Sequence, residues 1–118
     1  MKVQSHRDLK VWQKAIDMTM TCYQLTSNFP DSERYGLTSQ IRRAAVSVPA
    51  NIAEGKGRSS TGAYINHIGI AVGSIAELDT HFEIALRLEL ITGVQSQTLR
   101  SQLDEIGRML SGLRKSLS

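Results

Sequence analysis

The chain has 118 residues, 41% of them hydrophobic and only 5% aromatic, with 14 basic and 11 acidic side chains for a net charge of +3. That length supports one domain, residues 1–118, around a single core. Two prolines, few aromatics and abundant Leu, Ile, Ala, Ser and Gln favour helices over sheet.

A single cysteine, Cys22, excludes an internal disulfide and fits a reducing compartment. On a helix it reads as a small packed residue rather than a nucleophile. The opening MKVQSHRDLK lacks the apolar core of a secretion signal. No apolar run approaches membrane-spanning length. These features predict a soluble cytoplasmic protein with no membrane partner.

Asp8 is suited to cap a first helix running to about Ser27. Leu9, Trp12, Ile16, Met20 and Tyr23 form one apolar stripe on it, and Val11, Met18, Cys22 and Leu25 form another on the opposite side. Two stripes fit either cover from both sides, by the bundle itself and by a second chain, or a few exposed apolar groups of the kind surfaces tolerate. Asn28-Phe29-Pro30-Asp31-Ser32 breaks the helix, and Asp31 or Ser32 is suited to cap the next.

The second predicted helix, from about Glu33 to Glu54, carries the most informative stretch, GLTSQIRRAAVSVPANIAEGKGR over Gly36–Arg58. It holds Arg42, Arg43, Lys56 and Arg58 against one acid, Glu54, so the rest of the chain balances at ten bases and ten acids. A local basic excess of this kind points to a partner. Leu37, Ile41, Ala45, Val48 and Ile52 make an apolar stripe at helical spacing, with Gln40, Ala44, Ser47, Asn51 and Glu54 as a mostly polar stripe beside it. Pro49 predicts a kink near Ala45–Pro49, and Gly55 suits a left-handed cap. Arg43 and Glu54 are about 16 Å apart along a straight helix, too far to pair within it but able to pair across a subunit boundary.

The link Gly55–Thr61, GKGRSST, lacks the spacing of a phosphate-binding loop. Alone it reads first as a plain cap and turn with solvated cations, although its glycines and its cations, beside a helix N-terminus, also suit a phosphate or a nucleic-acid backbone. No aromatic residue interleaves the cations in this stretch, so any such contact is expected to be to backbone rather than to bases. Ser59, Ser60 or Thr61 then caps a long third helix predicted to reach about Ile91. Its core stripe is Tyr64, Ile68, Ala71, Ile75, Leu78, Phe82 and Leu86. A second apolar row, Ile70, Ile84, Leu88 and Ile91, lies well round the helix, and Ala76, Asp79, Glu83 and Arg87 form its water-facing strip. Gly69 and Gly73 would admit another backbone closely. A helix apolar on most sides is central in a bundle or buried in an oligomer.

Thr92-Gly93 ends this helix, and Ser96 or Thr98 starts a fourth, with Leu99, Leu103, Ile106, Leu110, Leu113 and Leu117 on one face. The fold class is therefore all-α, an antiparallel up-and-down four-helix bundle.

Two chemical readings fail on spacing. Glu77 and His81 are four apart, with Glu54 as a third ligand from helix two, whereas di-iron bundles use Glu-x-x-His in two copies. Ser74 lies seven residues from both His67 and His81, too far for a nucleophile and its base. Structural hydrogen bonding is the better account of His67, Ser74, Glu77 and His81. No metal, cofactor or catalytic residue is expected.

The segments DLKVWQKAI, NFPDSERYGLTSQIRRAAVSVPANIAEGKGR and GSIAELDTHFEIA resemble the four-helix-bundle family of 23S rRNA intervening-sequence proteins. The resemblance runs from about Leu9 to Ile91, with the middle block the most specific. The matching positions are Tyr35, Gly36, Leu37, Gln40, Arg42, Arg43, Ala44, Ser47, Asn51, Glu54, Gly55, Ser74 and Glu77. It implies a bacterial protein that assembles as a ring-like homopentamer and has no established catalytic role. The family is similar to the accessory variability determinant of diversity-generating retroelements, a basic pentameric barrel that binds nucleic acid and a reverse transcriptase.

The expected function is thus a non-enzymatic oligomeric bundle that binds RNA or another nucleic acid through Arg42, Arg43, Lys56 and Arg58. Arg43, Ser47, Asn51, Glu54, Ile70, Ile84 and Leu88 are the expected subunit interface. The alternative is a scaffold whose oligomer binds another protein, with no nucleic-acid role.

Overall fold

A computed structural model describes residues 5–118. Four helices make the fold: α1 Lys10–Thr26, α2 Leu37–Lys56, α3 Thr61–Arg87 and α4 Gly93–Leu117. Short 3-10 turns at His6–Asp8 and Asp31–Glu33 precede α1 and α2. No strand occurs among the described residues. Helix α1 packs on α2 and α4, and α3 packs on α2 and α4, while the backbones of the diagonal pairs stay more than 8 Å apart between Cα atoms. This is a four-helix bundle with its core on the central axis.

Each helix supplies that core from one face. Val11, Ala15, Met18 and Cys22 of α1 meet Ile41, Ala45, Val48 and Ile52 of α2. Ile68, Ala71, Leu78 and Phe82 of α3 meet Leu99, Leu103, Ile106 and Leu110 of α4. All are spaced by three, four or seven residues, as a single buried helix face requires. Burial pushes the Cys22 thiol up to about 12, so it is an inert packing group. The stripe Leu9, Trp12, Ile16, Met20 and Tyr23 faces outward more than the other, with Met20 and Tyr23 exposed.

Several helix boundaries differ from the sequence expectation. Asp8 does not cap α1; its carboxylate accepts the Ser5 N–H, closing a capping box on the preceding turn. Helix α2 starts at Leu37 rather than Glu33, because Asp31–Glu33 forms its own turn and the Glu33 carboxylate accepts the Leu37 N–H at 3.1 Å. Helix α3 stops at Arg87, four residues before Ile91. Glu89 there takes the left-handed conformation at φ 60°, and the Leu90 N–H donates to the Ala85 carbonyl at 2.9 Å. That is a Schellman closure made without glycine. The chain then turns inward and buries Ile91 in the core, so Ile91 does not belong with Ile70, Ile84 and Leu88. Helix α4 begins at Gly93, with Thr92 and Gln95 forming a capping box, instead of at Ser96 or Thr98.

The glycines also changed roles. Gly55 is not a left-handed cap but a buried helical residue of α2. A Cβ there would stand 2.9 Å from the His67 Cβ and 3.0 Å from Tyr64 Cδ1, so its bareness lets α3 come close. Gly73 meets no such neighbour within 4 Å, and Gly69 meets only the tip of Arg114 at 3.8 Å.

Pro49 sits inside an unbroken α2. Having no N–H, it leaves the Ala45 carbonyl without its intrahelical donor. Thr19 of α1 partly replaces it: its buried hydroxyl has one proton, shared between Ala15 O at 2.8 Å and Ala45 O at 3.2 Å. The missing donor of one helix thus becomes a tie to its neighbour. Thr19→Val is expected to lower unfolding free energy by about 1–2 kcal/mol, by stranding a buried carbonyl. In a Pro49→Ala background the restored N–H should shrink that cost. Urea unfolding of the four proteins of this double-mutant cycle measures the coupling.

A polar seam and an arginine groove flanking the second helix

The polar stripe of α2 faces polar residues of α3. Ser74 Oγ donates to Ser47 Oγ at 2.9 Å, and Asn51 Nδ2 donates to both Ser47 O at 2.9 Å and Ser47 Oγ at 3.1 Å. That orientation of the Asn51 amide leaves its Oδ1 toward His67 Nδ1 at 3.0 Å, so the ring nitrogen donates. His67 Nε2 lies 3.4 Å from Glu54 Oε2, and Arg58 reaches the same oxygen at 2.7 Å. Ser74, Ser47, Asn51, His67, Glu54 and Arg58 therefore form one chain of contacts along the seam. His67 and Ser74 are structural partners, as their spacing suggested.

Glu54 belongs to this seam and not to Glu77 and His81, which pair with each other at 3.3 Å. Among the described residues, no group of three or more His, Cys, Asp or Glu side chains is placed to hold a metal ion. His81 Nδ1 is buried without a hydrogen-bond partner.

The four expected binding cations fall into two groups, about 20 Å apart along α2. At the C-terminal end, Arg58 is committed to Glu54, and Ser60 caps α3 by accepting the Ala63 N–H. The link GKGRSST is thus an ordinary cap and turn carrying Lys56. At the other end, Arg42 and Arg43 join Arg34, Tyr23, Tyr35, Thr38, Ser39 and Val46 around an open groove of about 530 Å³. No carboxylate lines it.

Arg42 is held in place. Its Nε donates to Thr26 Oγ1 at 2.9 Å, its Nη2 lies 3.4 Å from the Tyr23 carbonyl, and its guanidinium sits 4.6 Å over the Tyr23 ring. Thr26 in turn donates to Cys22 O at 2.7 Å, anchoring the set to α1. Arg43 donates to Ser39 Oγ at 3.3 Å and is exposed. Arg34 lies 5.5 Å from the Tyr35 ring centre.

Folding therefore brings two tyrosines from outside the basic stretch, Tyr23 and Tyr35, beside its arginines. Arg34, Tyr23 and Tyr35 were missed because Tyr23 comes from another helix and Arg34-Tyr35 lie just before Gly36, where the basic stretch begins. The adjacency of Arg34 and Tyr35, two turns before Arg42, was the available signal.

Ile70, Ile84 and Leu88 lie on the outer side of α3, 44%, 43% and 56% exposed. No helix among the described residues is long and apolar enough to cross a membrane.

This architecture is that of a small all-α four-helix bundle with a polar helix seam and a cationic groove. The model of the family described as 23S rRNA-intervening sequence protein matches residues 7–112, and the chain belongs to that family. Among solved structures, it is similar to a protein of unknown function from the S23 ribosomal protein family of Bacteroides thetaiotaomicron VPI-5482. The two share 26% identity and superpose with a TM-score of 0.80, covering 89% of this chain and 98% of the other. No curated protein matches the chain.

Hydrogen bonding from Arg58 holds the Glu54 carboxyl below its usual range, with the charge of His67 as a second cause. A carboxylate stabilised in the folded state contributes stability above its unfolded pKa and loses it as pH falls through the folded one. Thermal melts at descending pH should therefore show a shallower acid decline for Glu54→Gln than for wild type. The difference should be small, because this carboxylate is solvent-exposed.

Proposed function

We propose that this chain is a non-enzymatic, cytoplasmic RNA-binding protein that acts as a ring-like homo-oligomer, the homopentamer that the family resemblance implies. The helices are read as antiparallel, since the links Gly57–Ser60 and Leu88–Thr92 are too short for a crossover. The observation that carries the binding reading is the convergence of Arg34, Arg42 and Arg43 on a groove with no lining carboxylate. Unopposed guanidinium groups suit phosphate, which they bind in a forked geometry. The family description connects these proteins by name with 23S rRNA, which favours RNA among polyanions.

Lys56 and Arg58 contribute less in this reading, because Glu54 already neutralises Arg58. Binding of a labelled structured RNA should weaken steeply with salt. Arg42→Glu with Arg43→Glu should abolish it, whereas Lys56→Glu with Arg58→Glu should leave much of it. Neutral Gln replacements at positions 42 and 43 should reduce the slope of log K against log salt by about 1.4 on single strands, for two phosphate contacts. Anisotropy titrations at low and physiological salt measure all of these. No binding by wild type at low salt would sink the reading in favour of a scaffold that binds another protein.

Self-association rests on a separate observation. Ile70 and Ile84 on α3 and Leu88 at its C-cap are exposed, in helical register beside the seam residues His67 and Ser74. Apolar side chains at helical spacing outside the core suit a second copy. Light scattering should give a multiple of the protomer mass for wild type and a smaller species for Ile84→Glu with Leu88→Glu. A wild-type monomer, or an unchanged mass in the variant, would remove this interface.

A further inference from the structure

We infer that the arginine groove takes unpaired nucleotides, so that the RNA it binds is single-stranded there; this rests on the nucleic-acid reading above. Tyr35 is 87% exposed at the turn before α2, and Arg34 is its ring's cationic neighbour. Its ring does no work in the core, yet it stands on the rim of the groove that gathers the arginines. An aromatic face beside unopposed cations is what a nucleobase and its phosphate require together.

Tyr23 and Arg42 supply a second layer. Arg42 covers the Tyr23 ring and spends its Nε on Thr26 and one terminal nitrogen on the Tyr23 carbonyl. A guanidinium has five donors, so others remain for a ligand, and its outer face is a flat surface on which a base can stack. Thr38 and Ser39 add hydroxyls, and their backbone N–H groups lie in the first turn of α2, where no intrahelical acceptor exists. The groove's volume of about 530 Å³ suits a small-ligand site.

A duplex cannot use this arrangement, because its bases already stack on one another and present phosphates outward. The groove between α3 and α4 is lined by Asp79 and Asp104, and its Arg100 is tied to Asp79 and Glu83.

The test compares a short fluorescein-labelled single-stranded RNA with a hairpin duplex of the same sequence, on the full chain at low salt. Wild type should prefer the single strand. Tyr35→Ala should weaken single-strand binding about fivefold to a hundredfold, the range for losing one stacked base, with an unchanged salt slope. Hairpin binding should not change, and Tyr35→Trp should keep single-strand affinity. A melt matching wild type shows that Tyr35→Ala is folded, as expected of so exposed a side chain. Equal binding of hairpin and single strand, or wild-type affinity in Tyr35→Ala, overturns this inference while an effect of Arg42→Glu with Arg43→Glu keeps the broader reading. Absence of RNA binding by wild type overturns both.

Discussion

Helix α2 lies so close to α3 that a Cβ on Gly55 would stand 2.9 Å from the Cβ of His67, and the surrounding polar contacts depend on that approach. With the backbones this near, short side chains suffice to span the seam: Ser74 reaches Ser47, and Asn51 reaches His67. The opposite flank of α2 is tied to α1 by different chemistry, through Thr19 to the Ala45 carbonyl and Arg42 to Thr26. With both flanks committed and the third side in the core, only the back of α2 remains open. Ser39, Arg43, Val46 and Ala50 occupy that back, and the groove opens at its N-terminal end.

The core was legible in the sequence because a helix face repeats at fixed spacing. Ile41, Ala45, Val48 and Ile52 could be assigned to the interior from their positions alone, and they are buried. Helix ends were less legible, since they depend on what the chain meets next. Glycine at position 55 reads as a stop signal, yet α3 needs the missing Cβ more than α2 needs a cap. Position 89 has the opposite problem: a glutamate adopts the left-handed turn that sequence patterns reserve for glycine or asparagine. Glu54 shows the same limit for charge, because its helical spacing could not reveal His67 as a partner from the next helix.

The candidate site was half legible for the same reason. Arg42 and Arg43 stand out as a local basic excess, but their aromatic neighbours are brought in by folding. Tyr23 is nineteen residues upstream of Arg42, and only the packing of α1 on α2 sets its ring under the guanidinium. Lys56 and Arg58 looked equivalent to Arg42 and Arg43 when counted as charges. The structure separates them, since Arg58 shares a carboxylate with His67 and the arginines of the groove do not.

On the nucleic-acid reading proposed above, that separation explains how a modest net charge of +3 would still serve a polyanion. Long-range attraction follows total charge, but contact energy follows local, uncompensated charge. Arg42 begins with an advantage, because its hydrogen bonds and its stacking on Tyr23 have already restricted the side chain. Less rotamer entropy is then lost when a phosphate arrives. Arg43 and Arg34 are freer and can adapt to the position of that phosphate. In a ring of copies each protomer would present the same groove, so a bound strand would gain affinity through multiplicity rather than through a single strong site. On that proposal the exposed apolar side chains Ile70, Ile84 and Leu88 would serve the arginine groove by gathering copies of it.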